Sequence, residues 1–301
     1  MEDGVKRAGS TEAEIASQPA CWLRAAGLAQ AVAGVLPAHG ERVAVVGCGT
    51  SWFIGQSYAA LREASGHGET DAFAASEMPE GRRYDRVVAL SRSGTTTEIL
   101  QLLAQLDGTM PILAITASAQ TPVAAAADAV IALDFADELS VVQTRFATTE
   151  LALLRASLGQ DMTPVARTAE EILASPLPEV LTTARQFTFL GTGWTVGLAS
   201  EAALKLREAA GMWTESYPAM EYRHGPAAVT GPGSVVWLLG PPPDGLDAEV
   251  RAAGGIPWHS DEDPLAELVR VQLLAATVAR ARGLDPDRPR NLARSVILTP
   301  R

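Results

Sequence analysis

Cysteine, histidine and aromatic side chains are scarce in this 301-residue sequence, and positive charge is in deficit. The two cysteines, Cys21 and Cys48, show no pairing pattern, and no secretory apolar segment opens the chain, which points to a reducing, cytoplasmic setting. The four histidines, His39, His67, His224 and His259, keep no metal-ligand spacing with the cysteines, so neither a metal nor another cofactor is expected. Acidic residues outnumber basic ones 35 to 24, a net charge of −11 with no basic run, so the long-range field repels nucleic acid and anionic membrane. Phosphate could then be gripped only by local geometry. No apolar run approaches the roughly 18 residues of a spanning helix. No GxxxxGK[ST] stretch is present to form a P-loop.

Apolar residues, at 47%, are plentiful enough to fill one large α/β domain or two of ordinary size. Short apolar runs bounded by glycine, proline or polar residues read as buried parallel strands: 42–47, 71–75, 86–90, 111–116 and 129–133. Helical stretches alternate with them. In "TTTEILQLLAQL", for example, Ile99, Leu102, Leu103 and Leu106 share one face. A long helical run over 139–158 precedes a proline-marked stretch, "SPLPEVL", and then a second series of strands follows at 187–191, 213–217, 234–240 and 255–260. The pattern predicts an α/β chain of βαβ units with parallel sheets flanked by helices, doubly wound. The expected division is an N-terminal helical segment (1–40), a first domain (41–165), a second (175–283) and a C-terminal tail (284–301).

An internal repeat supports two copies of one unit. "VVGCGTSWFIGQSYAALRE" and "FLGTGWTVGLASEAALKLRE" both run strand, Gly-x-Gly, helix, Leu-Arg-Glu, 144 residues apart at Gly49 and Gly193 and 145 at Leu61 and Leu206. Chance likeness of two strand-to-helix turns is the plainer alternative. A dinucleotide fingerprint fails at its third glycine, where Trp52 and Val196 stand.

"SRSGTT" (91–96) joins a strand to a helix, at the carboxyl end where open α/β sheets bind ligands. Ser91, Ser93 and Thr96 supply neutral donors, Gly94 lets the backbone come close, and the free N–H groups of the helix start suit a phosphate monoester. A capped polar turn is the simpler reading of any one hydroxyl. A second hydroxyl turn, Gly49-Thr50-Ser51, leaves a neighbouring strand and points to an anion pocket. Further on, Glu201, Lys205 and Glu208 fall on one helical face, a spacing that fits a solvated row of ion pairs as readily as a working group. His224, in "RHGP", reads by itself as a loop histidine.

Five stretches, "VVGCGTSWF", "LSRSGTTTEIL", "ELSVVQTRFATT", "EAALKLREAAGMWTESYPAMEYRHGP" and "PDRPRNLARSV", together resemble the sugar isomerase (SIS) family. Within it the likeness is to the isomerase half of glucosamine-6-phosphate synthase and to free-standing amino-sugar-phosphate deaminases and isomerases, and it runs from about residue 14 to the end. The resemblance implies two SIS domains, and a phosphosugar pocket made by Gly49, Thr50, Ser51, Ser91, Arg92, Ser93, Gly94 and Thr96, with Val141, Gln143, Ala293 and Arg294 around the sugar. It implies that Glu208 moves a proton between C1 and C2 of the open-chain sugar, with Glu201 and Lys205 as partners. His224 would open the ring, delivered across the interface of a homodimer. Such roles suit general acid–base groups.

Two departures narrow the expectation. Arg294 stands where the synthase has the lysine that forms a Schiff base, and a guanidinium cannot form an imine. Gln143 replaces a smaller serine, which alters the pocket near the sugar ring. No glutaminase domain precedes the first unit, so glutamine-dependent synthesis is not expected. The implied activity is isomerisation or deamination of glucosamine 6-phosphate or N-acetylglucosamine 6-phosphate. The alternatives are dehydration by loss of the C3 hydroxyl and, from another class, a sugar-phosphate sensor. Against the sensor stand the acidic charge and the lack of a helix-turn-helix segment before residue 40.

Overall fold

A computed structural model describes residues 10–298. Helices α1 (Ser10–Ala16) and α2 (Gln18–Leu28) lead into a five-stranded sheet of β1 (Val43–Gly47), β2 (Thr70–Ala74), β3 (Arg86–Ser91), β4 (Ile112–Thr116) and β5 (Ala129–Ala132). Its helices are α3 (Thr50–Ala64), α4 (Thr97–Leu106), α5 (Pro122–Ala125) and α6 (Arg145–Ser157). After α7 (Thr163–Ala174) and α8 (Glu179–Thr182) comes a four-stranded sheet of β6 (Gln186–Gly191), β7 (Thr214–Pro218), β8 (Ser234–Leu239) and β9 (Ile256–Trp258), with α9 (Thr195–Ala210), α10 (Leu246–Ala252) and α11 (Pro264–Ala281). All nine expected strands form, each within two residues of its expected bounds. Among the described residues no helix is long and apolar enough to cross a membrane.

Every strand pair in both sheets is parallel, in the orders β2-β1-β3-β4-β5 and β7-β6-β8-β9. The order reverses between β1 and β3, and again between β6 and β8. Such reversals open a crevice at the carboxyl ends of the strands, because the flanking connections leave in opposite directions. Alternate side chains serve two layers. Val43, Val45, Val88 and Leu90 face a core shared with α2, α6, α9 and α11, while Ala44, Val46, Val87 and Ala89 face α4. Burial on both faces explains why these strands read as unbroken apolar runs.

The repeat is a repeat of backbone. Gly47 and Gly191 end their strands where an added Cβ would lie 2.6 Å from the Ser51 carbonyl carbon and 2.3 Å from the Thr195 oxygen. Gly49 and Gly193 follow with φ of 55° and 58°, a region that costs glycine little. The helices so launched, α3 and α9, pack against each other. At their crossing Gly197 leaves no room for a side chain, since its Cβ would meet the Phe53 carbonyl at 2.3 Å and the Ser57 hydroxyl at 2.4 Å.

One expectation is corrected. The helical run expected over 139–158 begins only at Arg145, because buried Glu138 accepts the N–H groups of Thr144 (2.6 Å) and Arg145 (2.9 Å) and so caps α6 from outside. Residues 139–144 instead form a loop held by the Glu14 carboxylate, which accepts from the backbone of Leu139 and Ser140. Helix α7, which follows α6, puts Val165, Ala166, Ala169 and Ile172 into the shared core. Its amphipathic spacing accounts for that burial.

Candidate active site

The crevice between β1 and β3 gathers both hydroxyl turns. Because the chain turns back at once after Gly47, Thr50 and Ser51 open α3 with their side chains buried. Across from them the turn after β3 closes on itself. Ser91 Oγ accepts from the Gly94 N–H at 3.2 Å and Ser93 Oγ from the Thr95 N–H at 3.3 Å. Gly94, at φ 62°, sits so close to Thr121 that a Cβ would overlap its hydroxyl. Ser51, Ser91, Ser93, Thr96, Gln143 and Arg294 line a cavity of about 30 Å³ here. Gln143 Oε1 is buried in it without a hydrogen-bond partner among the described residues.

The C-terminal tail crosses this turn. Ser295 Oγ lies 2.9 Å from Thr95 Oγ1, 3.2 Å from Ser93 Oγ and 3.4 Å from Thr96 Oγ1. The Val296 carbonyl accepts the Thr97 N–H at 3.1 Å, and the Leu298 N–H donates to Thr97 Oγ1 at 2.9 Å. Thr96 occupies the N-cap of α4, yet its hydroxyl accepts no helix N–H; the tail caps the helix instead. Arg294 anchors the strap by donating to the Glu138 carbonyl and the Asp137 carboxylate. Ala293 is exposed beside it.

Arg92 lines the cavity at this turn as well. Its buried guanidinium pairs with Glu138 at 3.4 Å and donates to the carbonyls of Ser140, Val141 and Arg294, tying the 138–141 loop to the tail. Burial pushes this arginine down and Glu138 up from their ordinary values, even though each favours the other's charge. Val141 contributes its carbonyl to that tie, and its N–H donates to the Asp287 carbonyl. Reasoning from sequence missed Glu138, Glu14 and Ser295. Glu138 opens the quoted "ELSVVQT", and Ser295 follows Arg294, but only the folded chain gives either a role.

Glu201, Lys205 and Glu208 are not a solvated stripe. Glu201 and Lys205 are each about 1% exposed, and Glu208 keeps 20% of its side chain open. Lys205 Nζ donates to Glu208 Oε2 at 2.6 Å and to Thr50 Oγ1 at 3.1 Å, and stands 3.3 Å from Glu201 Oε1. The α3–α9 crossing makes this contact possible, joining the ionisable group of one repeat to the hydroxyl turn of the other. Burial raises the Glu201 carboxyl to about 7 against the pull of Lys205. Burial alone would lower the Lys205 ammonium, but Glu201 and Glu208 hold it above its ordinary value. The group can therefore hold or move a proton near neutrality at a point open to a ligand only through Glu208.

His224 is not brought to this group within the chain. It ends a short turn at Glu221–His224 after β7, is exposed, and has no hydrogen-bond or ion-pair partner among the described residues. Among those residues no cluster of histidine, cysteine or carboxylate side chains could hold a metal ion.

Comparison with known proteins bears on this geometry. Residues 38–158 match the SIS domain. An isomerizing glutamine–fructose-6-phosphate aminotransferase from Methanothermobacter thermautotrophicus is 31% identical over 88% of this chain and 53% of its own. The corresponding enzyme of Pyrobaculum aerophilum is 28% identical over 89% of this chain and 55% of its own. The chain thus spans about half the length of the curated relatives it matches. A glucosamine-6-phosphate deaminase from Thermotoga maritima superposes with a TM-score of 0.84 at 23% identity, over 96% of this chain and all of that one, a likeness of fold.

Proposed function

We propose, from the premise that this chain is an SIS-domain protein, that it is an enzyme of amino-sugar 6-phosphates acting by C2 proton transfer on the ring-opened sugar. One observation carries the reading: a buried Glu201–Lys205–Glu208 group is hydrogen-bonded through Thr50 to a crevice lined with hydroxyls. The 6-phosphate sits on the turns 49–51 and 91–96, where Thr50, Ser51, Ser91, Ser93 and Thr96 donate to its oxygens and the α4 N-terminus complements its charge. Ser295 gives way to it. The C2 carbon then lies at Glu208, whose carboxylate takes the proton and returns it to C1. Lys205 holds that carboxylate in place and balances its charge, and Glu201 keeps Lys205 protonated.

Two SIS units, 41–165 and 175–283, form this site; of the N-terminal segment 1–40 the described residues 10–40 pack beside them, and of the tail 284–301 the described residues 284–298 close over the sugar. The site is completed in a homodimer. The segment around exposed His224 also exposes Met220 (53%) and Val229 (56%), which suits contact with a second copy and delivery of the imidazole to that copy's sugar. There it exchanges a proton with the ring oxygen.

Isomerisation and deamination of glucosamine 6-phosphate are the leading outcomes. Arg294 favours a second: it stands in the tail with no amine to form an imine, and loss of the C3 hydroxyl from N-acetylglucosamine 6-phosphate needs none. Incubation of each sugar with the protein in deuterated water separates them. Ammonia release from the free amine supports deamination; water loss from the acetylated sugar supports dehydration; unchanged sugar without C2 deuterium leaves a sensor. Glu208→Gln is expected to lower turnover by about a thousandfold with binding nearly unchanged, and substantial residual activity would sink the assignment.

A further inference from the structure

Glu208 forms part of the wall of a second and much larger cavity, of about 690 Å³, that opens where α9 and α11 end and the tail begins. Arg207, Arg282, Arg288 and Arg290 line it too. In a chain with a net charge of −11 this is a local reversal of sign. Arg207 and Arg282 each donate one hydrogen bond to a backbone carbonyl, of Thr214 and Ala210 respectively. Arg288 and Arg290 have no side-chain hydrogen bond or ion pair among the described residues, and both are exposed. The carboxylates on the wall are already engaged, Glu208 by Lys205 at 2.6 Å and Asp285 by Arg280 at 3.6 Å. Beyond them Asn291, the one described non-glycine residue with positive φ (61°), turns the chain away from this cavity toward the hydroxyl turns. One tail therefore lines both cavities, this one with residues 284, 285 and 288–291 and the hydroxyl-lined one with Arg294.

We infer that this cavity takes a second anionic group of the substrate, a carboxylate or a phosphate borne at the C1 or C2 end, with Arg288 and Arg290 as its ligands. The inference rests on the reading above, in which the 6-phosphate lies on the hydroxyl turns and C2 at Glu208. The volume fits it. The C1–C2 end of a hexose with a bare amino group fills little of a cavity within the range that holds whole drug-sized ligands. The chemistry fits as well, since free guanidinium forks bind carboxylate and phosphate oxygens in pairs, while a neutral N-acetyl group would leave them without partners.

The test is calorimetric titration at low salt with three probes: glucosamine 6-phosphate, its N-succinyl derivative, and the terminal carboxamide of that derivative. The last two match in size and differ by one charge. The carboxylate is expected to bind about tenfold tighter than the carboxamide. That preference should vanish in Arg288→Gln/Arg290→Gln, with the affinity for glucosamine 6-phosphate unchanged. Fructose 1,6-bisphosphate against fructose 6-phosphate provides the phosphate arm, and a tenfold gain in only one arm identifies the anion. Equal binding within both pairs, or a preference that survives the double variant, overturns the inference and leaves the proposed function standing. If no hexose 6-phosphate binds at all, that function falls and this inference with it.

Discussion

The units β1–α3 and β6–α9 share a backbone and divide the chemistry. Each ends its strand at a glycine with no room for a Cβ, turns at a glycine with φ near 55° to 58°, and launches a helix from a threonine. The first helix begins with buried hydroxyls at the crevice proposed to take the phosphate. The second carries its ionisable residues about two to four turns along, where the crossing helix covers Glu201 and Lys205. Repetition of the backbone supplied two equivalent helices, and their packing at Gly197 brought the start of one against the middle of the other. The lesson is that the site belongs to the crossing and to neither copy alone.

Breaking the crossing should have the largest effect on the fold. Gly197→Ala drives a methyl into the Phe53 carbonyl and is expected to cost about 3 kcal/mol in urea unfolding. Gly27→Ala, on a helix with open space around it, should be neutral or stabilise by about 0.5–1 kcal/mol. A similar loss in both would show that the crossing carries no special constraint.

Removing only the bond between the units is a milder cut. Thr50→Val keeps the shape but removes one of the acceptors of Lys205, and is expected to lower stability by about 1–2 kcal/mol. Unchanged stability would mean the two units are joined by packing alone.

Stability should also respond to pH through buried carboxyls. Glu201 titrates in the folded chain at about 7, above its ordinary 4.5, so between these values the folded state holds a proton that the unfolded state has released. Stability is then fullest below pH 4.5 as far as this group is concerned, and declines as pH rises to 7. Glu150, buried and raised well above the same ordinary value, adds to the slope in the same direction. Glu201→Gln should flatten the decline by about one proton's worth, read from urea midpoints across pH 5–8. A slope unchanged by the substitution would show that Glu201 is ionised throughout.

The smallest effect is expected at the tail. Ser295→Ala removes a hydroxyl that competes for Ser93, Thr95 and Thr96, and should tighten binding of inorganic phosphate by about two- to threefold in calorimetry. Weaker binding would mean that Ser295 is a ligand and not a competitor.

Local pattern alone determined the parallel strands, the repeat, the hydroxyl turn and the single helical face of Glu201, Lys205 and Glu208. Each is written in a short-range period or in a glycine where the chain must turn. Local pattern also misplaced the start of α6, because the cap that sets it comes from the side chain of Glu138 and the loop before it is held by Glu14, more than a hundred residues away. Whether the charged face was solvated or buried could not be read from its spacing, since i, i+4 and i+7 are equally regular in either case. That question was decided by the α3–α9 crossing, which excludes water from Glu201 and Lys205 and so turns an ordinary ion-pair row into a group that titrates near neutrality. The path of the tail from the arginine cavity to the hydroxyl turns was likewise a matter of tertiary structure. Its partners lie some two hundred residues away in the chain, and hydrogen bonds at that separation leave no period in the sequence.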